Sequence, residues 1–172
     1  MKLEFRKAAI EDLPPVLDIY REGVRNMISN GINQWDDEYP NEKVISEDIR
    51  KGELNLCICN GEIAAAYALN THADPDYDNA KWQNPDANWC AMHRLCVSPR
   101  FHRRGIATAC MLNIEQDALS QGFEAVHLDT FSGNSRAMEL YNKLGYKQVG
   151  EMFWTRGRFV IFEKILIVSR KA

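Results

Sequence analysis

One stretch leaves the chain few folds to choose from: H-R-L-C-V-S-P-R-F-H-R-R-G-I-A-T, His93 to Thr108. An apolar strand pattern ends at Val97 and a Ser-Pro turn follows. A basic run then closes on Gly105, where an apolar-periodic helix begins. A strand feeding a helix through a glycine-bearing basic turn is a way to hold a phosphate. The free N–H groups of the first helical turn point outward, and the helix dipole favours negative charge there.

On the N-terminal side of this stretch, Leu3 to Ala8 alternates like a short strand. Asp12 offers a cap to an amphipathic helix over about 12–29, with Pro14 and Pro15 in its first turn, where missing N–H groups cost little. Its apolar residues are Val16, Ile19, Tyr20, Val24, Met27 and Ile28. Residues 31–40 have no period and carry Trp35 and Tyr39 among Asp36, Asp37 and Glu38. A second helix over about 41–51 stops at Gly52. Leu54 to Cys59 and Glu62 to Leu69 read as strands joined by Asn60-Gly61, a type I′ hairpin signal. Residues 71–88 form a long polar connection, and a loop of this length is more often functional or mobile than a plain link; Trp82 within it is either a lid anchor or a packing residue.

Trp89 to Val97 is the next strand, and the helix after the basic turn runs from Arg104 to Gln121. Ala125 to Phe131 is a buried-type strand. Asn134 caps a helix that ends at Gly145. Tyr146 to Trp154 and Arg158 to Val168 form a closing hairpin. The order β-α-α-β-β-β-α-β-α-β-β predicts an α+β (mixed α/β) fold, with a parallel pair only around the helix at 104–121.

At 172 residues, the simplest organisation is one domain, 1–172, large enough to fold without a disulfide or metal. The net charge of −3 argues against a general nucleic-acid binder, so the local cluster Arg100, Arg103, Arg104 points to a small anion. The five cysteines, Cys57, Cys59, Cys90, Cys96 and Cys110, make a poor disulfide framework. Cys57 and Cys59, two apart on a strand, share one face as small buried residues. No metal site is expected. The N-terminus has no apolar signal core and nothing spans a membrane, so a reducing cytoplasm fits best. Monomer and homodimer both remain open.

Three segments carry a resemblance to the GNAT superfamily of N-acetyltransferases, a resemblance that covers nearly the whole chain. They are R-K-A-A-I-E-D-L-P at Arg6 to Pro14, H-R-R-G-I-A at His102 to Ala107, and N-S-R-A-M-E-L-Y-N-K-L-G-Y at Asn134 to Tyr146. The resemblance implies a GNAT-like acyl-CoA N-acyltransferase fold, a central mixed, mostly antiparallel sheet flanked by about four helices. It also implies acetyl-CoA (coenzyme A) as cofactor and an amine acceptor as second partner. The pyrophosphate would sit on the N–H groups of Arg103, Arg104, Gly105, Ile106, Ala107 and Thr108. The first loop position is His102 where the family has Arg or Gln, leaving the phosphate to Arg103 or to the backbone. Leu95, Cys96 and Val97 match the family strand that pairs with the pantetheine arm. Asn134 and Ala137 match the next contacts, although Asn134 would serve equally as a plain helix cap.

By the same resemblance, Tyr141 matches the family's general acid. A reference phenol holds its proton more tightly than a thiol by about 2 kcal/mol, so Tyr141 is expected to donate a hydrogen bond to the leaving sulfur rather than a proton. A backbone N–H near Val97 would meet the oxyanion. His93 falls where arylalkylamine acetyltransferases carry a histidine. It is either a general base for the amine or a strand histidine bonded to backbone. On an ideal strand His93, Leu95 and Val97 share one face; a bulge would reverse this. The acceptor side would be built by 31–40 and 71–88, with Trp35, Tyr39 and Trp82 as aromatic walls. Acidic residues such as Asp36, Asp37, Asp74 and Asp76 would suit a cationic amine. A non-catalytic acyl-CoA-binding or sensing domain is the alternative.

Overall fold

The computed structural model describes residues 1–166. The predicted elements form in the predicted order. Strand β1 is Leu3–Lys7, followed by helices α1, Leu13–Ser29, and α2, Glu42–Arg50. Strands β2, Leu54–Cys59, β3, Glu62–Asn70, and β4, Trp89–Val97, come next. Helix α3 is Ile106–Ser120, β5 is Ala125–Phe131 and α4 is Ser135–Lys143. Strands β6, Lys147–Trp154, and β7, Gly157–Ile165, close the order. The sequence pattern extends the last strand to Val168; Ile167 and Val168 lie outside the described residues.

The seven strands form one mixed sheet in the order β1-β2-β3-β4-β5-β7-β6. The β1/β2, β2/β3, β5/β7 and β6/β7 pairs are antiparallel. The parallel register of β4 with β5 comprises Trp89↔Ala125, Cys90↔Val126 and Ala91↔His127. Between β2 and β3, Asn60 and Gly61 take φ of +51° and +88°, the two left-handed residues that a type I′ turn needs.

The described residues form two compact units. The first comprises Met1–Leu69 and His93–Asn113. Its core packs Val16, Ile19, Tyr20 and Val24 of α1 and Ile45 and Ile49 of α2 on Leu54, Leu56, Ala66 and Ala68. Cys57 and Cys59 alternate out of that set, as their spacing predicts, and Cys57 meets Cys110 of α3. All five cysteines are buried free thiols. The second unit comprises Asn70–Met92 and the residues from Ile114 onward. One cluster in it gathers Tyr77, Val149, Met152, Phe159 and Ile161, with Ala80, Trp82 and Phe131 against them.

The predicted Asp12 cap is corrected. Asp12 stands at the α1 N-cap without a side-chain cap bond. Its carboxylate instead accepts from the Ala9 N–H at 2.8 Å and from both Arg6 amino groups at 2.7 and 2.8 Å. A guanidinium fork outcompetes a first-turn N–H for a carboxylate. This pair ties β1 to the start of α1.

Gly23, inside α1, marks a close approach. A Cβ built there would lie 2.5 Å from the Cys96 Sγ of β4. Burial pushes the Cys96 thiol up to about 12, so it stays protonated and donates to the Ile19 carbonyl at 3.6 Å. Helix propensity alone would favour alanine by about 1 kcal/mol. The overpacking cost of about 1–3 kcal/mol outweighs it. Gly23→Ala is therefore expected to lower the melting temperature, by about 2–4 °C for each kcal/mol lost. In a Cys96→Ala background the same change is expected to be neutral or stabilising; equal losses in both backgrounds would show that the clash is not the cause.

Candidate active site

In the first unit, β4 leads into the basic turn. Ser98 N–H donates to the Ala64 carbonyl at 2.9 Å, and Pro99–Phe101 make one short 3-10 turn with Phe101 buried. Arg103 and Gly105 both take left-handed backbone, φ +60° and +77°. Alternating left- and right-handed residues turn successive N–H groups toward one side, a concavity that binds anions. Arg103, Arg104 and Gly105 are exposed, and α3 starts at Ile106 rather than Arg104 because these left-handed residues hold a turn. A Cβ at Gly105 would meet nothing within 4 Å. The demand for glycine thus comes from its backbone angle and from whatever approaches the open side.

His102, first in the loop, ties the turn to its own strand. Its half-buried ring donates from Nε2 to the Val97 carbonyl at 3.0 Å, which ties the turn back to the end of β4. Arg100 is held by Glu62 at 2.7 Å. Arg104 lies over the Phe101 ring, 5.5 Å from its centre.

The single shared face of His93, Leu95 and Val97 is also corrected. Arg94, between His93 and Leu95, has φ of +55° and breaks the alternation. His93, Leu95 and Val97 are half-buried, while Cys96 turns into the core against α1. Three partners hold the break. Tyr20, fully buried, donates to the Arg94 carbonyl at 2.8 Å. Asp48 of α2 accepts Nε at 3.0 Å and Nη2 at 2.7 and 2.8 Å. Arg94 Nη1 donates to the Tyr39 hydroxyl at 3.1 Å. Burial pushes the Asp48 carboxyl up and Arg94 opposes this; burial likewise works against the Arg94 charge, and the contacts with Tyr39 and Asp48 together outweigh it. Sequence reasoning missed this cluster. Its signal was Asp48 itself, standing with Ile45 and Ile49 on the buried face of α2.

The acceptor-side aromatics separate. Tyr39 is 38% exposed. Trp35 is not an open wall: it is buried in the core, 5.8 Å from the Tyr20 ring. The acidic residues are largely committed to their own neighbourhoods. Asp36 accepts the N–H groups of Glu38 and Tyr39, both at 2.9 Å. In the second unit Asp74 accepts the Asp76 N–H, and Asp76 accepts Trp154 Nε1 at 2.8 Å.

Trp82 resolves to a packing residue. It stacks on His127 at 3.8 Å and 8°, and Trp89 also stacks on that ring at 4.9 Å and 16°. His127 Nε2 donates to Glu163 at 3.3 Å, and Glu163 also accepts the Gln83 N–H at 2.7 Å. The 71–88 segment is thus anchored on a buried histidine and glutamate. Nearby, Tyr77 donates to Asp129 at 2.7 Å. Asn134 caps α4 by accepting the Ala137 N–H at 3.2 Å. One turn past the half-buried Ala137, Tyr141 is buried with its ring 5.6 Å from Phe162 and 6.0 Å from Tyr146. Burial and then the Asp129 charge push its hydroxyl well above the ordinary range. Among the described residues no group of three or more His, Cys, Asp or Glu could hold a metal, and no helix is long and apolar enough to cross a membrane.

The family model of the acetyltransferase (GNAT) family matches residues 17–146. Human N-acetyltransferase 8 is 37% identical over 68 residues, which is 38% of this chain and 30% of that protein. Mouse N-acetyltransferase 8B is 30% identical over 118 residues, 62% of this chain and 47% of that protein. The matched stretch is thus less than half the length of these curated relatives. Among solved structures, a GNAT-family acetyltransferase of Streptococcus agalactiae superposes with a TM-score of 0.85 at 24% identity, covering 95% of both chains. The PaiA N-acetyltransferase of Thermoplasma acidophilum, in complex with coenzyme A, superposes with a TM-score of 0.73 at 20% identity, covering 96% and 99%. These likenesses show the fold.

The His127 stack carries a pH dependence. Desolvation lowers its pKa below the ordinary 6.5, and Glu163 only partly opposes this. Nδ1 is buried with no partner among the described residues, which fits a neutral ring. Below about pH 6.5 the unfolded chain binds a proton that the native ring refuses, so stability falls with falling pH until the lowered native pKa is reached. Urea midpoints between pH 7.5 and 5.5 are expected to fall more steeply for the wild type than for His127→Gln. Equal slopes would remove His127 as the cause.

Proposed function

The chain belongs to the acetyltransferase (GNAT) family, and we propose that it moves an acetyl group from acetyl-CoA directly to a primary amine within a ternary complex. The observation that carries this is the turn at His102–Thr108: left-handed Arg103 and Gly105, exposed at the start of α3, with open space over the glycine. That geometry fits a diphosphate approaching the backbone closely. The family match runs through both compact units, which supports taking residues 1–172 as one catalytic domain.

Bound acetyl-CoA supplies an activated thioester; the rest of the chemistry falls to the chain. The N–H groups from Arg103 to Thr108 hold the pyrophosphate. The backbone of Leu95, Cys96 and Val97 follows the pantetheine arm as an added strand would, and the β4–β5 register does not include these residues. Asn134 and Ala137 complete the cofactor contacts. His93, half-buried on β4, takes the proton of the attacking amine, directly or through water. Tyr141 holds its proton more tightly than a free phenol does, so it donates a hydrogen bond to the departing sulfur. Tyr39 stands on the acceptor side. Five buried free thiols suit a reducing compartment such as the cytoplasm.

Two variants test the assignment. Gly105→Glu puts a bulky anion on a +77° backbone at the cradle and is expected to abolish the melting-temperature rise caused by coenzyme A. Tyr141→Phe is expected to keep that rise while lowering kcat by about ten- to a hundredfold. Unchanged turnover in Tyr141→Phe would remove Tyr141 from the mechanism. Binding of coenzyme A without acetyl transfer to any amine would favour the sensing domain.

A further inference from the structure

The clearest charged cluster outside the anion turn is the one around Arg94. We propose that Arg94 is a positioning residue for the acceptor: it fixes the break in β4 next to His93 and holds Tyr39 through its hydroxyl. The proposal rests on the acetyl-transfer reading above.

Four observations support it. The left-handed backbone of Arg94 is unfavourable for a residue with a side chain, and such strain persists only where the surroundings impose it. Tyr20 imposes it from below by bonding the Arg94 carbonyl, and Asp48 imposes it through a two-pronged ion pair. That pair is nearly closed to solvent, with side-chain exposures of 13% and 8%. Finally, the fork has one amino group beyond those on Asp48, and it reaches Tyr39 at 3.1 Å.

The consequence is chemical as well as steric. The Tyr39 oxygen accepts from a cation, so its own hydrogen is turned away from Arg94. Tyr39 is partly exposed. It therefore offers a fixed O–H donor to an acceptor molecule that carries a hydrogen-bond acceptor close to its amine. Lysine at position 94 could not reproduce this, because a single ammonium cannot grip Asp48 with two parallel bonds and reach Tyr39 as well.

The test compares Tyr39→Phe and Arg94→Lys with the wild type. Initial rates are measured on spermidine, tyramine and alanyl-alanine amide, and amide hydrogen exchange is followed over residues 36–41. Tyr39→Phe is expected to raise KM for the best of these amines about fivefold, the cost of one hydrogen bond. Its kcat, its KM for acetyl-CoA and its coenzyme A melting shift are expected to stay within twofold of the wild type, as for a group that binds only the acceptor. Arg94→Lys is expected to raise the same amine KM about tenfold, through lost charged hydrogen bonds, and to lower kcat. Exchange at Glu38 and Tyr39 is expected to quicken in both variants. A melting-temperature loss with unchanged KM, kcat and exchange would overturn the proposal, because a merely structural role predicts that pattern. If the wild type acetylates none of the amines, the transfer reading fails, and exchange alone then decides whether Arg94 holds Tyr39.

Discussion

A guanidinium taken out of water must have its charge met, and meeting the charge of Arg94 ties β4 to a neighbouring helix. Asp48 does so from α2, so the register of that short helix is set by one carboxylate as well as by Ile45 and Ile49. Replacing such a buried pair by apolar residues is often neutral for stability, whereas breaking it is costly. Its role is therefore better sought in geometry than in stability. The geometry is specific: a left-handed residue in the middle of β4, a tyrosine bonded to its carbonyl, and a second tyrosine at the end of its fork.

Strand β4 carries two tasks that this break separates. Upstream, Trp89–Ala91 pair with β5 as ordinary sheet. Downstream, Leu95–Val97 lead into the turn of left-handed Arg103 and Gly105 that is proposed to hold the diphosphate, with His102 tying it to Val97. Backbone groups suit this work because they are already oriented and lose little entropy on binding. The same economy appears at Tyr141. Burial makes it a poor acid, and in the proposed transfer it serves as a donor that a leaving thiolate would use without taking the proton.

Much of this was legible in the sequence, and the gaps have physical causes. Periodicity located α1, α2 and the strands, because burial against a sheet imposes it. Asn60-Gly61 located its hairpin, because few residues accept two left-handed angles. The basic turn was legible because a glycine just ahead of a helix start constrains the backbone. Arg94 was not, since nothing in local sequence separates a buried arginine from a solvated one; only Asp48 on an apolar helix face hinted at its partner. His102 stands where the family has Arg or Gln, and nothing in local sequence shows that its ring bonds the Val97 carbonyl. Trp35 and Trp82 sit in polar stretches and look like open walls. A core residue beside Tyr20 and a stack on His127 use the same residue type.

The central claim is that acetyl passes directly between two bound partners, with no acetylated enzyme between them. Initial velocities measured over a grid of acetyl-CoA and amine concentrations test this most directly. The account predicts double-reciprocal lines that intersect, with one free thiol formed per acetylated amine. Parallel lines, or a burst of free thiol in the absence of amine, would contradict it.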